Sequence, residues 1–74
     1  MKLIHKTNTW KGHGKQNYYH NEYFEEGTKI IMYKINEFKS FDGKENKWNT
    51  VKNAVKFWDK SDINLPEWLK KKLK

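Results

Sequence analysis

Residues Trp48 to Lys60, WNTVKNAVKFWDK, decide how the chain is read. Val51, Ala54, Val55 and Trp58 recur at i, i+3, i+4 and i+7, the spacing that gathers side chains on one face of a helix. Lys52, Lys56 and Lys60 recur every four residues beside them. Asn49 or Thr50 can accept a bond from an orphan backbone N–H at the start. The spacing therefore predicts an amphipathic helix over about 50–60, with an apolar stripe that needs a sheet and a basic stripe that faces outward.

Before this stretch the chain reads as sheet. Lys2 to Lys6 fits a short first strand. Asn8 to Gln16, NTWKGHGKQ, reads as a loop with Gly12 and Gly14 around His13. Asn17 to Phe24 is rich in β-forming aromatics, Glu25-Glu26-Gly27 supplies a turn, and Thr28 to Phe38 has the β-branched and aromatic content of a central strand. Residues 17–38 thus form a long hairpin in this reading, favoured over a helix at 17–26. Asp42-Gly43 is a second turn signal, across which Phe38–Phe41 and Lys44–Trp48 can pair.

Beyond Lys60, Asn64, Pro66 and Glu67 look like a helix start, with Asn at the cap and Glu three residues later. Leu65, Trp68, Leu69 and Leu73 make an apolar stripe over 65–74, and Lys70, Lys71, Lys72 and Lys74 load its last turn, where the helix dipole favours cations. The expected fold is α+β: one domain, residues 1–74. An antiparallel three- to four-stranded sheet (about 2–48) is followed by two C-terminal helices packed on one face.

With 74 residues and no cysteine, the core is small and has neither disulfide nor thiolate–metal support. Twelve aromatic residues must supply the apolar burial, helped by self-association, so a homodimer is a reasonable expectation. The net charge of +7 is uneven: residues 1–24 carry +3, 25–48 carry zero and 49–74 carry +4. A basic balance favours nucleic acid or an acidic partner. Every basic residue is Lys, and the lack of Arg argues against base reading by the bidentate guanine contact. Codon bias in an AT-rich genome is the favoured explanation of the missing Arg.

Catalytic and metal chemistry find little support. His5, His13 and His20 match no zinc spacing, and the acids are scattered among lysines. His20-Asn21-Glu22 resembles one fragment of a small metal-nuclease motif whose other half is missing. No enzyme activity, cofactor or metal is expected. The candidate binding residues are Lys52, Lys56, Lys60, Lys70, Lys71 and Lys72 on the two helices, Lys11, Lys15 and Trp10 around the Gly-His-Gly loop, and Trp68. Tyr18, Tyr19, Tyr23 and Tyr33 offer rings on which bases can stack. The competing reading of these features is a solvated helix face, a plain solvent loop and core aromatics.

Asp62-Ile63-Asn64-Leu65-Pro66 resembles the linear motif that docks proteins on bacterial sliding clamps, with Asp62 in place of its Gln and Pro66 in place of its Phe. Thr50, Ala54 and Trp58 repeat a rhythm seen in small sheet-plus-helix DNA-binding modules. In size and composition the whole chain resembles small early phage proteins, which are rich in Lys, Asn and aromatics and modulate a host component. That resemblance implies a bacterial host cell. No segment approaches the ~20 apolar residues of a membrane span, and the start lacks a signal-peptide run, so a cytoplasmic location is expected. The resulting functional expectation is a non-catalytic basic protein that acts on nucleic acid or the replication or transcription machinery. The alternative is a phage-encoded inhibitor that blocks a host protein such as the sliding clamp or RNA polymerase.

Overall fold

The computed structural model describes every residue except Lys15, Asp42 and Lys74. Its strands are β1 (Lys2–Lys6), β2 (Trp10–Lys11), β3 (Asn17–Glu26), β4 (Lys29–Phe41) and β5 (Asn46–Asp59), followed by one helix, α1 (Glu67–Lys72). All pairings are antiparallel. The strand order is β1-β3-β4-β5, with β2 also on β3, so β1 and β2 are two pieces of one edge. Thr7 ties these pieces to β3: its N–H donates to the Asn21 carbonyl at 2.9 Å, and its Oγ1 accepts from the Asn21 N–H at 2.8 Å. The molecule is long and narrow, 49 × 20 × 17 Å.

The expected hairpin is present, with Gly27 at φ 59° in its turn, a conformation open to Gly without strain. The expected pairing beyond Phe38 is present too: β4 runs to Phe41, which faces Asn46. Gly43 has φ 98°, and Asp42 of the same turn lies outside the described residues.

The helix expected over 50–60 is not formed, and the two-helix α+β fold is corrected to a nearly all-antiparallel sheet with one short helix. Residues 46–59 instead make the longest strand. The reason is tertiary. β4 spans 13 residues, and a helix beside it would leave its outer backbone groups without partners; β5 satisfies them along the whole length. Local preference does not resist this, because Trp48, Thr50, Val51, Val55, Phe57 and Trp58 are β-branched or aromatic, and Asn49 and Asn53 are poor helix formers.

A bulge explains why the helical spacing misled. Met32 pairs with Lys56 and Tyr33 with Ala54, so Val55 is an extra residue on β5. Opposed residues share a face, so the bulge resets the alternation and turns Trp58 to the same face as Ile30. There Tyr23, Ile30, Trp58, Leu65 and Leu69 form the core, with Ile4, Met32 and Leu73 against it. Ile30 and Leu69 have no exposed surface, and Trp58 keeps 7 %. Val51, Ala54 and Val55, the other members of the supposed buried stripe, are exposed.

The second expected helix, 65–74, shortens to α1. Leu65 and Leu69 are buried and Leu73 partly so, as the stripe requires. The cap is corrected: Pro66 precedes the first turn without a side-chain cap bond, and Asp62 Oδ1 accepts from the Asn64 N–H at 2.8 Å instead. A helix of six residues is stable only through its packing on the sheet.

Candidate nucleic-acid interface

The helix covers only one end of its sheet face. Further along that face, β2 and β3 bring Trp10 opposite Tyr19, and their rings lie 6.0 Å apart at 21°, a stacked arrangement. Lys34 on β4 holds its Nζ 4.7 Å from the centre of the Tyr19 ring. Trp10, Lys11, Gly12, His13, Tyr19 and Lys34 line an open cavity of about 380 Å³. It combines aromatic faces with two ammonium groups and an imidazole.

Local structure fixes this shelf. The Gly12 N–H donates to the Asn17 carbonyl at 2.7 Å, closing the loop onto β3. Asn36 Nδ2 donates to Asn17 Oδ1 at 2.6 Å, and Asn17 Nδ2 donates to the His13 carbonyl at 3.0 Å. The loop is thus tied through Asn17 to the central strand. Gly12 lies flat against Tyr19, and any Cβ there would run into the ring. Loop and ring therefore form one surface.

The opposite face carries other groups. Tyr18 and Trp48 rings lie 6.0 Å apart at 37° and line a second cavity of about 360 Å³ with Thr9 and Glu37. His20 is buried at 3 % exposure; its Nε2 is 2.8 Å from Glu22 Oε2, and its Nδ1 is 3.7 Å from Glu37 Oε1. Phe24 and Tyr33 meet edge to face, with the Lys52 ammonium 4.3 and 4.4 Å from their centres.

The lysine stripe predicted on a helix is dismantled. Lys52 lies on this opposite face, Lys56 lies over Trp58 on the helix face at 5.1 Å, and Lys60 pairs with Glu25. Lys60 holds the Glu25 carboxyl below its ordinary range. Lys70, Lys71 and Lys72 do load the end of α1, with Lys70 3.5 Å from Glu67. Trp68 packs edge-on against His5 at 4.8 Å and Tyr23 at 5.0 Å while 42 % of it stays exposed. Lys15 lies outside the described residues. Burial raises the Tyr23 hydroxyl above its ordinary value.

One further resemblance does not survive the fold. Leu65 sits in the core at 2 % exposure, so the clamp-like segment cannot offer it to a partner. His5 lies beside Tyr23, His13 on the shelf and His20 on the opposite face, so the histidines do not converge. Among the described residues no three His, Asp or Glu side chains could hold a metal ion.

Of the candidates named from sequence, Trp10, Lys11 and Tyr19 come together. Lys34 was missed, and so was the role of Gly12. The Trp10–Tyr19 pairing follows from treating Gly12 to Gln16 as a hairpin turn, which the two glycines suggest. No protein-family model, curated protein or solved structure matches the chain.

Proposed function

We propose that this is a non-catalytic protein that binds single-stranded nucleic acid in the cytoplasm, on the shelf made by Trp10, Tyr19, Lys11 and Lys34. The observation that carries the reading is the stack of exposed Trp10 on half-buried Tyr19, with the Lys34 cation over the Tyr19 ring and a second lysine beside it. A base has a π-face and a phosphate a negative charge, and the shelf offers a partner to each. Base–aromatic stacking tolerates any sequence, which accords with a chain that lacks Arg. The basic balance of the chain adds long-range attraction. The narrow, open cavity suits an unpaired strand, because the bases of a duplex are already stacked on one another.

The test is titration of a fluorescently labelled oligothymidylate and its RNA counterpart, followed by anisotropy. Binding at ~50 mM salt is expected, weakening linearly on a log–log salt plot with a slope near −0.7 per phosphate neutralised. Trp10→Ala or Tyr19→Ala is expected to lose about 1–3 kcal/mol of affinity. Lys34→Glu should flatten the salt slope, whereas Lys52→Glu, on the other face, should do so less. Absence of binding to any DNA or RNA at that salt overturns the reading. So does capture of one dominant protein that survives nuclease treatment of a lysate while the oligonucleotides stay unbound.

A further inference from the structure

The two edges of the sheet are treated differently. One is broken into β1 and β2, five and two residues long, with a loop between them. The other is β5, fourteen residues long, which ends the strand order of the described residues. Trp48, Val51, Val55 and Phe57, all on β5, are among the exposed large apolar residues. A long edge strand with apolar side chains is a template for another strand. The bulge at Val55 twists one end away, which leaves 46–54 as the regular part.

We propose that residues 48–54 of β5 pair antiparallel with the same residues of a second copy, about a twofold axis at Val51. The side chains select this register. Around Val51, Trp48 stands opposite Ala54, Asn49 opposite Asn53 and Thr50 opposite Lys52, so no two lysines meet. Each of these pairs also lies on one face, as antiparallel pairing demands. Val51 meets its own copy, a β-branched pair that buries apolar surface. An axis at Lys52 instead opposes Lys52 to itself. An axis at Thr50 places polar threonines at the centre and leaves Val51 against Asn49.

This pairing has a consequence for the shelf. Trp10 pairs with Tyr19, Tyr19 with Asn36 and Asn36 with Val51, so all four stand in one row across the sheet. The axis is perpendicular to the sheet, so both shelves face the same side. Five strand spacings separate the two Tyr19 rows, about 24 Å. Two copies thus give one ten-stranded surface with a stacking shelf near each margin. The pairing itself stands without the nucleic-acid reading, and its test uses no nucleic acid.

Sedimentation equilibrium of the full chain at ~150 mM salt, which screens the repulsion between two basic copies, is expected to show twice the 9.1 kDa chain mass. Val51→Lys puts like charges at the axis and should weaken dimerisation about fivefold or more, with the circular dichroism of the sheet kept, since Val51 is exposed. The chain has no cysteine, so single substitutions report position cleanly. Val51→Cys should form a disulfide-linked dimer under mild oxidation, because facing Cα atoms in such a ladder lie about 4.5–5.5 Å apart. Asn53→Cys should not, because its copy stands about 13 Å away along the strand. A single-chain mass up to ~1 mM, or crosslinking no faster at Val51 than at Thr50→Cys or Asn53→Cys, overturns the proposal.

Discussion

Alanine substitutions along β5 distinguish the strand from the helix that the same residues suggest. On a helix, Val51, Val55 and Trp58 share one buried stripe, and each truncation opens a hole in the core. On the bulged strand only Trp58 enters the core, at 7 % exposure against Tyr23, Ile30, Leu65 and Leu69. Trp58→Ala should therefore cost about 3–5 kcal/mol, the usual range for a large buried aromatic. A 74-residue domain has about 4–11 kcal/mol in total, so this one change removes about a quarter of its stability or more. Val55 is 48 % exposed and Val51 40 %, and their alanine variants should each cost less than about 1 kcal/mol. Phe57, next to Trp58 but on the other face, is exposed as well and should behave like them. Urea unfolding, followed by far-ultraviolet circular dichroism and by the fluorescence of the remaining tryptophans, measures all four. Costs near 2 kcal/mol for Val51→Ala and Val55→Ala, the value for losing two buried methyl groups with a little cavity, would refute the strand register and restore the helix.

Other consequences follow from the same geometry. Deleting Val55 removes the extra residue while leaving Tyr33–Ala54 and Met32–Lys56 paired, so the variant should fold with an unfolding free energy within about 1 kcal/mol of the parent's in the same urea titration. Gly12→Ala should leave unfolding nearly unchanged but weaken oligonucleotide binding, because the new methyl must push the loop away from Tyr19. The raised Tyr23 hydroxyl means the unfolded chain loses that proton first. Its contribution is fully present below the ordinary tyrosine value of 10.0 and is lost as pH rises through the folded value, so Tyr23→Phe should soften the alkaline fall in stability. Glu25 has the opposite sign. Its lowered carboxyl stabilises above the ordinary 4.5, and that part is lost as pH falls through the folded value, so Glu25→Gln should flatten the acid limb of a pH–midpoint curve.

What the sequence disclosed depended on how local each signal was. The 17–38 hairpin was legible because Gly27 and the flanking β-branched and aromatic residues agree with one another. The stripe of Leu65, Trp68, Leu69 and Leu73 was legible in part: Leu65, Leu69 and Leu73 reach the core, but only Leu69 of these lies on α1, and Trp68 stays 42 % exposed. Residues 48–60 were misread because a bulged strand and a helix can leave the same mark. Val51 and Trp58, two helical turns apart in sequence, share a face of the strand because the bulge at Val55 resets the alternation, while Ala54 lies on the other face, and only the free edge of β4 decides between helix and strand. The shelf was half legible. Trp10, Lys11 and Tyr19 stand out by type, but Lys34 reaches Tyr19 only through the β3–β4 register, in which Lys34 sits diagonal to it.

The stabilising core and the binding shelf occupy different parts of one long sheet, and this division bears on how the shelf works. Tyr23, Ile30, Trp58 and α1 anchor one end of the helix face. Past them the sheet lies beyond the helix, and its order comes from the backbone ladder, the buried Ile35 and His20 on the opposite face, the Asn36–Asn17–His13 bonds and the cross-strand ring contacts. Backbone ladders open more readily where few apolar contacts lock them. A ligand that bridges Trp10, Tyr19 and Lys34 binds only when β2, β3 and β4 are in register, so it stabilises the very part of the sheet that the core does not reach. A second β5 beside the first does the same from the other edge, because it gives the outer backbone groups of Trp48 to Ala54 strand partners. Both events order the row from Trp10 to Val51, so occupancy of the shelf and pairing at the edge should favour each other through the strands they share.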